Sequence, residues 1–158
     1  MHLVYFFMWC ENSAVGDAIR SSTWYFPVIE AVHLLGLAMI GGAVLVVDLR
    51  LLNLGLRRQP LAQVARDAQP WLIGSLIVMI ITGSLLFMSE AMKCYYHVAF
   101  WEKMTSLFLA IVFTFTIQRK VISSDESRLN PVWARIVAII SLVLWTGVGI
   151  GGRWIGFS

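Results

Sequence analysis

The sequence predicts an all-α membrane protein: a bundle of four transmembrane helices preceded by an interfacial helix, with both termini outside. Three observations carry that prediction. Of 158 residues 59% are hydrophobic and the mean hydropathy is +0.78, well above the apolar share of a soluble domain. The apolar residues gather in four blocks, roughly 28–47, 71–88, 104–118 and 136–152, each extendable to the roughly 20 residues that cross a hydrocarbon core of about 30 Å. Basic residues concentrate in alternate connections. The blocks are continuous rather than strictly alternating, so the spans are helices and not strands of a barrel.

The elements follow in order. Residues 1–25 form an N-terminal segment and 26–158 the four-helix domain. The opening stretch lacks the basic start, long apolar run and small-residue cleavage site of a secretory signal, and carries Glu11 and Asp17 early, so it is expected to stay on the mature chain. Leu3 to Cys10 is too short to span. Val15, Ala18 and Ile19 recur at helical spacing, with Asn12 or Ser13 placed to cap an interfacial helix. Pro27, Pro70 and Pro131 are each expected in the first turn of a span, where a missing N–H costs nothing. The connection 55–69 holds Leu56, Leu61, Val64 and Ala68 at a spacing that fits a short surface helix between two prolines. Gly36, Gly41, Gly42, Gly74, Gly83, Gly147, Gly149 and Gly151 are expected to mark close helix contacts.

Charge sets the expected orientation. Arg50, Arg57, Arg58 and Arg66 lie between spans one and two, and Arg119, Lys120, Arg128 and Arg135 between or beside spans three and four. By the positive-inside bias these connections face the cytoplasm of a bacterial inner membrane, leaving the termini and the 89–98 connection on the periplasmic side. Trp24, Tyr25, Tyr95, Tyr96, Trp101 and Trp154 then form an outer aromatic belt, and Trp71 and Trp133 inner anchors. The net charge of +3 is a topology signal. Neither basic connection interleaves aromatics in a stripe, which speaks against nucleic acid as a partner.

Few residues can carry chemistry. Glu30 and His33 lie inside the first span, three residues apart, and are expected to turn together into the bundle or a wet cavity, because an ionisable group in hydrocarbon costs at least about 2.5–3.5 kcal/mol. Glu90, His97, Glu102, Lys103 and Arg153 gather at the same end. One reading is structural: Glu30 pairs with Lys103 or Arg153, and His33 bonds a backbone carbonyl or a threonine. A second is a redox site. His33 and His97 are the natural pair to ligate the iron of haem b from two helices, with Glu30 orienting and Lys103 meeting a propionate; a quinone held by His33 and Glu30 is a related possibility. A third is copper, for which Met92 and Cys94, with Met88, His97, Met8, Cys10 and His2 on the same side, supply soft ligands. Cys10 and Cys94 are placed either to form a disulfide or to remain thiols. Asp48 and Arg50 read as an acid-base pair fixing a helix end. Phosphate loops, HExxH and Ser/His/Asp sets are missing from the sequence, and catalysis by the isolated chain is not expected.

The run "SSTWYFPVIEAVHLLGLAMIGGAVLVVDLRLLNLG" resembles the opening of a bacterial four-helix membrane family catalogued only as a domain of unknown function. Ser22, Trp24, Phe26, Pro27, Glu30, His33, Gly36, Gly42, Asp48 and Arg50 carry that likeness. "TGSLLFMSEAMKCYYHVAFWEKM" is similar to its second block through Thr82, Gly83, Tyr95, Phe100 and Lys103. The resemblance spans about 20–120 and is shared, distantly, with copper-resistance D-type membrane proteins. It implies the fold and topology and the importance of Glu30, His33, Asp48, Arg50 and Lys103. His97 stands where that family's pattern carries Asn or Ser. The function expected from these readings is an integral subunit of a bacterial envelope redox or electron-transfer assembly, alongside other membrane or periplasmic redox proteins. The alternatives are a cofactor-free accessory subunit and a copper-handling protein.

Overall fold

The structure, a computed structural model, describes residues 2–124 and 129–156; Arg128 lies outside these, as does the side chain of His2. The described residues are helical, with short connections. Two short helices open the chain, α1 (His2–Glu11) and α2 (Ala14–Ser21). Ser13 caps α2, its Oγ accepting from the Gly16 N–H at 3.1 Å. The first span is α3 (Tyr25–Leu51), the second α4 (Leu61–Ser89). A short helix α5 (Ala91–Tyr96) leads into the third span, where α6 (Val98–Phe113) passes through a π-helical turn (Thr114–Gln118) into α7 (Arg119–Ile122). The last span is α8 (Pro131–Gly156). The four long helices, counted as Tyr25–Leu51, Leu61–Ser89, Val98–Ile122 and Pro131–Trp154, are each long and apolar enough to cross a bilayer, making this a multi-pass membrane protein.

Local chemistry explains the helix ends. Ser22 Oγ accepts from the N–H groups of Trp24 and Tyr25 at 3.3 Å, serving donors that the first turn of α3 leaves over, and Pro27 stands in that turn. At the other end Asn53 adopts φ 60°, a left-handed conformation that a short polar side chain tolerates, and the Leu54 and Gly55 N–H groups return to the Leu49 carbonyl. Asn130 Oδ1 accepts from the Val132 N–H at 2.9 Å, and Pro131 opens α8 as expected.

Pro70 does not open the second span. It lies inside α4, which begins at Leu61 behind Pro60. The expected surface helix therefore exists as the first turns of α4. Its apolar face is used: Leu61 and Val64 are buried, Leu61 in a cluster with Val47, Leu51, Val121 and Val137. At about 1.5 Å per residue, 29 residues run to about 43 Å, longer than the hydrocarbon layer. The carbonyl that Pro70 leaves unpaired is that of Arg66, an exposed residue of these first turns.

In packing, α4 lies on α3, α3 on α8 and α8 on α6; α4 and α6 are not closely packed along their length. Glycines account for part of this. A Cβ on Gly36 would stand 3.3 Å from Met79, on Gly83 3.2 Å from His33, on Gly147 3.2 Å from Ser106 and on Gly151 3.2 Å from Lys103. Gly41, Gly42, Gly74 and Gly149 have open space instead, so half of the expected contact glycines are not contacts within this chain. Leu34, Leu35, Ile77, Ile81, Ile139 and Val143 are exposed, as lipid-facing side chains are.

One end of the bundle carries α1, α2 and α5 and is rich in aromatics; the other carries the arginine-rich connections. At the aromatic end Phe7 and Cys10 of α1 are buried with Ala91, and Phe7 packs edge-on against Phe87 and Tyr95. Glu11 ties the segment down: its carboxylate accepts from the Met92 N–H and pairs with Arg20 at 3.1 Å. Arg20 also donates to the Glu11 carbonyl at 2.7 Å and the Ser89 carbonyl at 3.4 Å, and pairs with Asp17. Ile19 and Gly16 of α2 are buried; Val15 and Ala18 are exposed. The segment is thus docked onto the bundle along more than one stripe.

Candidate functional site

His33 occupies the buried face of α3, 9% exposed, with Gly36 and Ile40 along the same stripe. Its Nδ1 lies 2.8 Å from Thr82 Oγ1 on α4. The Thr82 hydroxyl is already committed as a donor, to the Val78 carbonyl at 2.7 Å. A hydroxyl has one hydrogen, so in the His33–Thr82 bond the imidazole donates and threonine accepts. That fixes the tautomer: the proton sits on Nδ1, and Nε2 keeps its lone pair. No hydrogen bond engages Nε2 among the described residues. Gly83, at 3.2 Å from the ring by the Cβ it lacks, leaves room for the imidazole against α4.

A cavity of about 440 Å³ opens beside the ring. Its walls are mostly aromatic and apolar, among them Phe7, Met79, Phe87, Phe100, Trp101 and Trp145. His33, Ser84 and Lys103 supply polar side chains. Exposed Ile80, Trp101 and Met104 line it too, so it reaches the lipid-facing surface between α4 and α6, where the bundle does not close. Lys103 reaches the cavity along α8: Gly151 and Gly152 leave space for its stem, the would-be Cβ of Gly152 lying 3.6 Å from Nζ. Among the described residues no carboxylate lies within ion-pair distance of Lys103. The size and the lining, apolar with a few converging polar groups, are those of a small-molecule site.

The other expected site residues fall elsewhere. Glu30 is exposed and does not line the cavity. Three residues along a helix turn the side chain by about 60° from its neighbour's direction, enough to carry Glu30 off the stripe that buries His33. The expectation that both turn inward holds for the histidine alone, and Glu30 pairs with neither Lys103 nor Arg153 among the described side chains. His97 sits at the junction of α5 and α6, with Nδ1 buried and without a hydrogen-bond partner, and is not among the cavity residues. Met92 and Cys94 stand on α5, where Met92 packs on the Phe7 cluster. Cys10 and Cys94 are free thiols, both buried. Burial, and then the Glu90 carboxylate, push the Cys94 thiol up to about 11. Among the described residues no three His, Cys, Asp or Glu side chains gather as a metal-binding group.

Asp48 also departs from expectation. It is fully buried and is held by Gln118, whose Nε2 donates to Oδ1 at 2.8 Å; Arg50 turns away and donates from Nε to the Gln59 carbonyl at 2.9 Å. Sequence reasoning also missed the contributions of Phe7, Met79 and Trp145 to the cavity.

A model of a family described as a family of unknown function, DUF6644, matches residues 6–158. No curated protein and no solved structure matches the chain.

Proposed function

We propose that this chain, which belongs to the family of unknown function DUF6644, is the membrane-embedded, quinone-binding subunit of an electron-transfer assembly in a bacterial inner membrane. The observation that carries the reading is the lone pair of His33 Nε2, held by the Thr82 bond at the wall of an aromatic cavity that reaches the lipid phase. A quinone arrives through lipid, so its site needs a lateral mouth; it has a flat ring, which aromatic walls suit; and its oxygens call for a donor in the oxidised form and an acceptor in the reduced form. His33 Nε2 accepts a hydroxyl proton of the reduced form, and Lys103 Nζ donates to the carbonyl oxygen of the oxidised form. A quinol supplies two electrons and two protons; the electrons pass to a redox centre of a partner protein and the two protons, the first by way of His33 Nε2, to water at this end of the bundle. The positive-inside bias sets the arginine-rich end in the cytoplasm and this site on the periplasmic side.

A second reading is haem b, favoured by one further observation: Met79 and Met104 line the same cavity as His33, and histidine with methionine is an axial pair used for haem iron. In that case His33 and a thioether of Met79 or Met104 would hold the iron, Lys103 would meet a propionate, and the group would supply one-electron transfer.

The test is binding of a short-tailed quinol, kept reduced, to the purified chain in nanodiscs, read by quenching of the cavity tryptophans Trp101 and Trp145. Wild type is expected to quench saturably, with affinity at least about tenfold weaker in His33→Leu, a loss of about 1.4 kcal/mol. Absence of saturable quenching in wild type overturns the quinone reading, and a Soret band that His33→Leu removes establishes the haem reading in its place.

A further inference from the structure

At the basic end the bundle buries a second polar group, remote from the His33 cavity and independent of what that cavity binds. Asp48 of α3, Gln118 at the end of the π-helical turn and Ser141 of α8 come from three different spans and are 0%, 2% and 0% exposed. Only one contact among them satisfies hydrogen-bond geometry, Gln118 Nε2 to Asp48 Oδ1 at 2.8 Å. Asp48 Oδ2, Gln118 Oε1 and Ser141 Oγ are each buried without a partner. The serine lies against the carboxyl and has one hydrogen to give, while two oxygens lack a donor. No Lys or Arg is within ion-pair distance of Asp48 among the described residues.

A carboxylate without a cation in such a place is far more costly than a polar group that is merely unbonded. One added hydrogen on Asp48 Oδ2 removes the charge and supplies the missing donor at once. A metal cation is a poorer fit, because three oxygens fall short of the shell that hard cations take. Access is provided as well. Gln118 lines a cavity of about 300 Å³ at the basic end, together with Thr114, Arg66, Arg119 and Ser123; Asp48 lies behind it, out of contact with that space. The π-helical turn is what presents Gln118 to both, since an extra residue per turn rotates the following side chains, and such turns collect at functional sites.

We propose that Asp48, Gln118 and Ser141 form a proton-binding site in which the Asp48 carboxyl takes up and releases one proton past Gln118 from the cavity at the basic end. The charged groups around it are Arg66 of α4 and Arg119 of α7, which line that cavity; Arg50 of α3 and Arg135 of α8 line a separate groove, and Asp67 of α4 lines another.

Infrared difference spectroscopy of the intact chain in nanodiscs tests this, with 13C-aspartate to identify the band. The sequence has four aspartates, at 17, 48, 67 and 125, and Asp17 and Asp67 are exposed. At neutral pH the protonated-carboxyl C=O stretch is expected in wild type, to shift on labelling, to vanish on raising the pH, and to be missing in Asp48→Asn. Gln118→Leu is expected to retain the band and slow its response to a pH jump at least tenfold. A labelled wild type without the band overturns the proposal even if Asp48→Asn does not fold. So does stoichiometric sodium binding that Asp48→Asn abolishes. An unchanged response in Gln118→Leu overturns the entry route.

Discussion

Replacing Gly16 by alanine sets two physical effects against each other and measures how the N-terminal segment closes the aromatic end. Gly16 lies in the first turn of α2 with no positive φ, so helix propensity alone favours alanine, by at most about 1 kcal/mol. Sterics point the other way. A Cβ built there lies 2.5 Å from the Met88 carbonyl oxygen and 2.8 Å from that of Glu11. Both are backbone atoms of neighbouring helices and cannot rotate aside. Ordinary contact begins at 3.4 Å, so α2 must back away from α4 by nearly an ångström. That movement loosens the Arg20 bonds to the Glu11 and Ser89 carbonyls, at 2.7 and 3.4 Å, and uncovers Ile19, only 4% exposed. Overpacking of this kind costs about 1–3 kcal/mol, more than propensity returns. Gly16→Ala is therefore expected to lower the Tm in detergent and to speed maleimide labelling of Cys10, now 6% exposed. Gly41→Ala, where nothing lies within 4 Å, is the control and should not lose stability. A Gly16→Ala protein with raised Tm and unchanged Cys10 labelling would refute the docking of α2.

Three other changes have definite signs. Thr82→Val leaves the His33 N–H without its acceptor, costing about 1–3 kcal/mol for a buried donor; the imidazole is expected to populate the other tautomer, seen in 15N spectra, with Thr82→Ser restoring the original. Cys94, its thiol pushed up to about 11 by burial and Glu90, should alkylate slowly at pH 8. Because the unfolded thiol ionises first, near 9.0, the unfolded state holds fewer protons between the two values, and stability should fall as pH rises through that window; Cys94→Ser should remove that part of the fall. Trp145→Phe deletes the 3.2 Å bond from Nε1 to Thr114 Oγ1 and should cost about 0.5–1.5 kcal/mol, measured as a loss of Tm, while Thr114→Val in the Trp145→Phe background should add little. A full second loss there would show that the two side chains are not paired.

The four spans were legible because hydrophobic length is a local quantity: each block is read from its own residues. His33 was legible for the same reason, as an imidazole inside an apolar run has to find a partner. Its partner was only half legible. A threonine was expected as one option, but Thr82 is 49 positions away, and hydropathy says nothing of which faces meet. Glu30 shows the limit of spacing: three residues apart means neighbouring, and the boundary of the buried stripe fell between the two. Pro70 was read as a helix start because a proline opens helices readily, yet a proline near the membrane surface can also be carried inside one. The Asp48–Gln118 bond was hidden twice, by 70 intervening residues and by a π-helical turn that shifts the register without altering composition. Asp48 beside Arg50 suggested a local pair; burial of one and the outward turn of the other undid it.

The two polar sites are kept apart by an apolar layer of the bundle. Ile40, Val44, Ala110, Trp145 and Val148 pack as one cluster. Ile40 and Trp145 also line the His33 cavity, and Val44 the cavity that Gln118 borders. One helical turn of α3 thus separates the two spaces. Such a layer costs a crossing ion its solvation, so a proton taken up at Asp48 does not simply continue to His33. The Trp145–Thr114 bond does bridge the layer, since Thr114 lines the lower cavity, but an indole N–H is a donor only and cannot relay a proton. What the bond can transmit is position. Trp145 lines the aromatic cavity and holds Thr114, the first residue of the π-helical turn that ends at Gln118. Packing thus joins the walls of the two cavities across this layer.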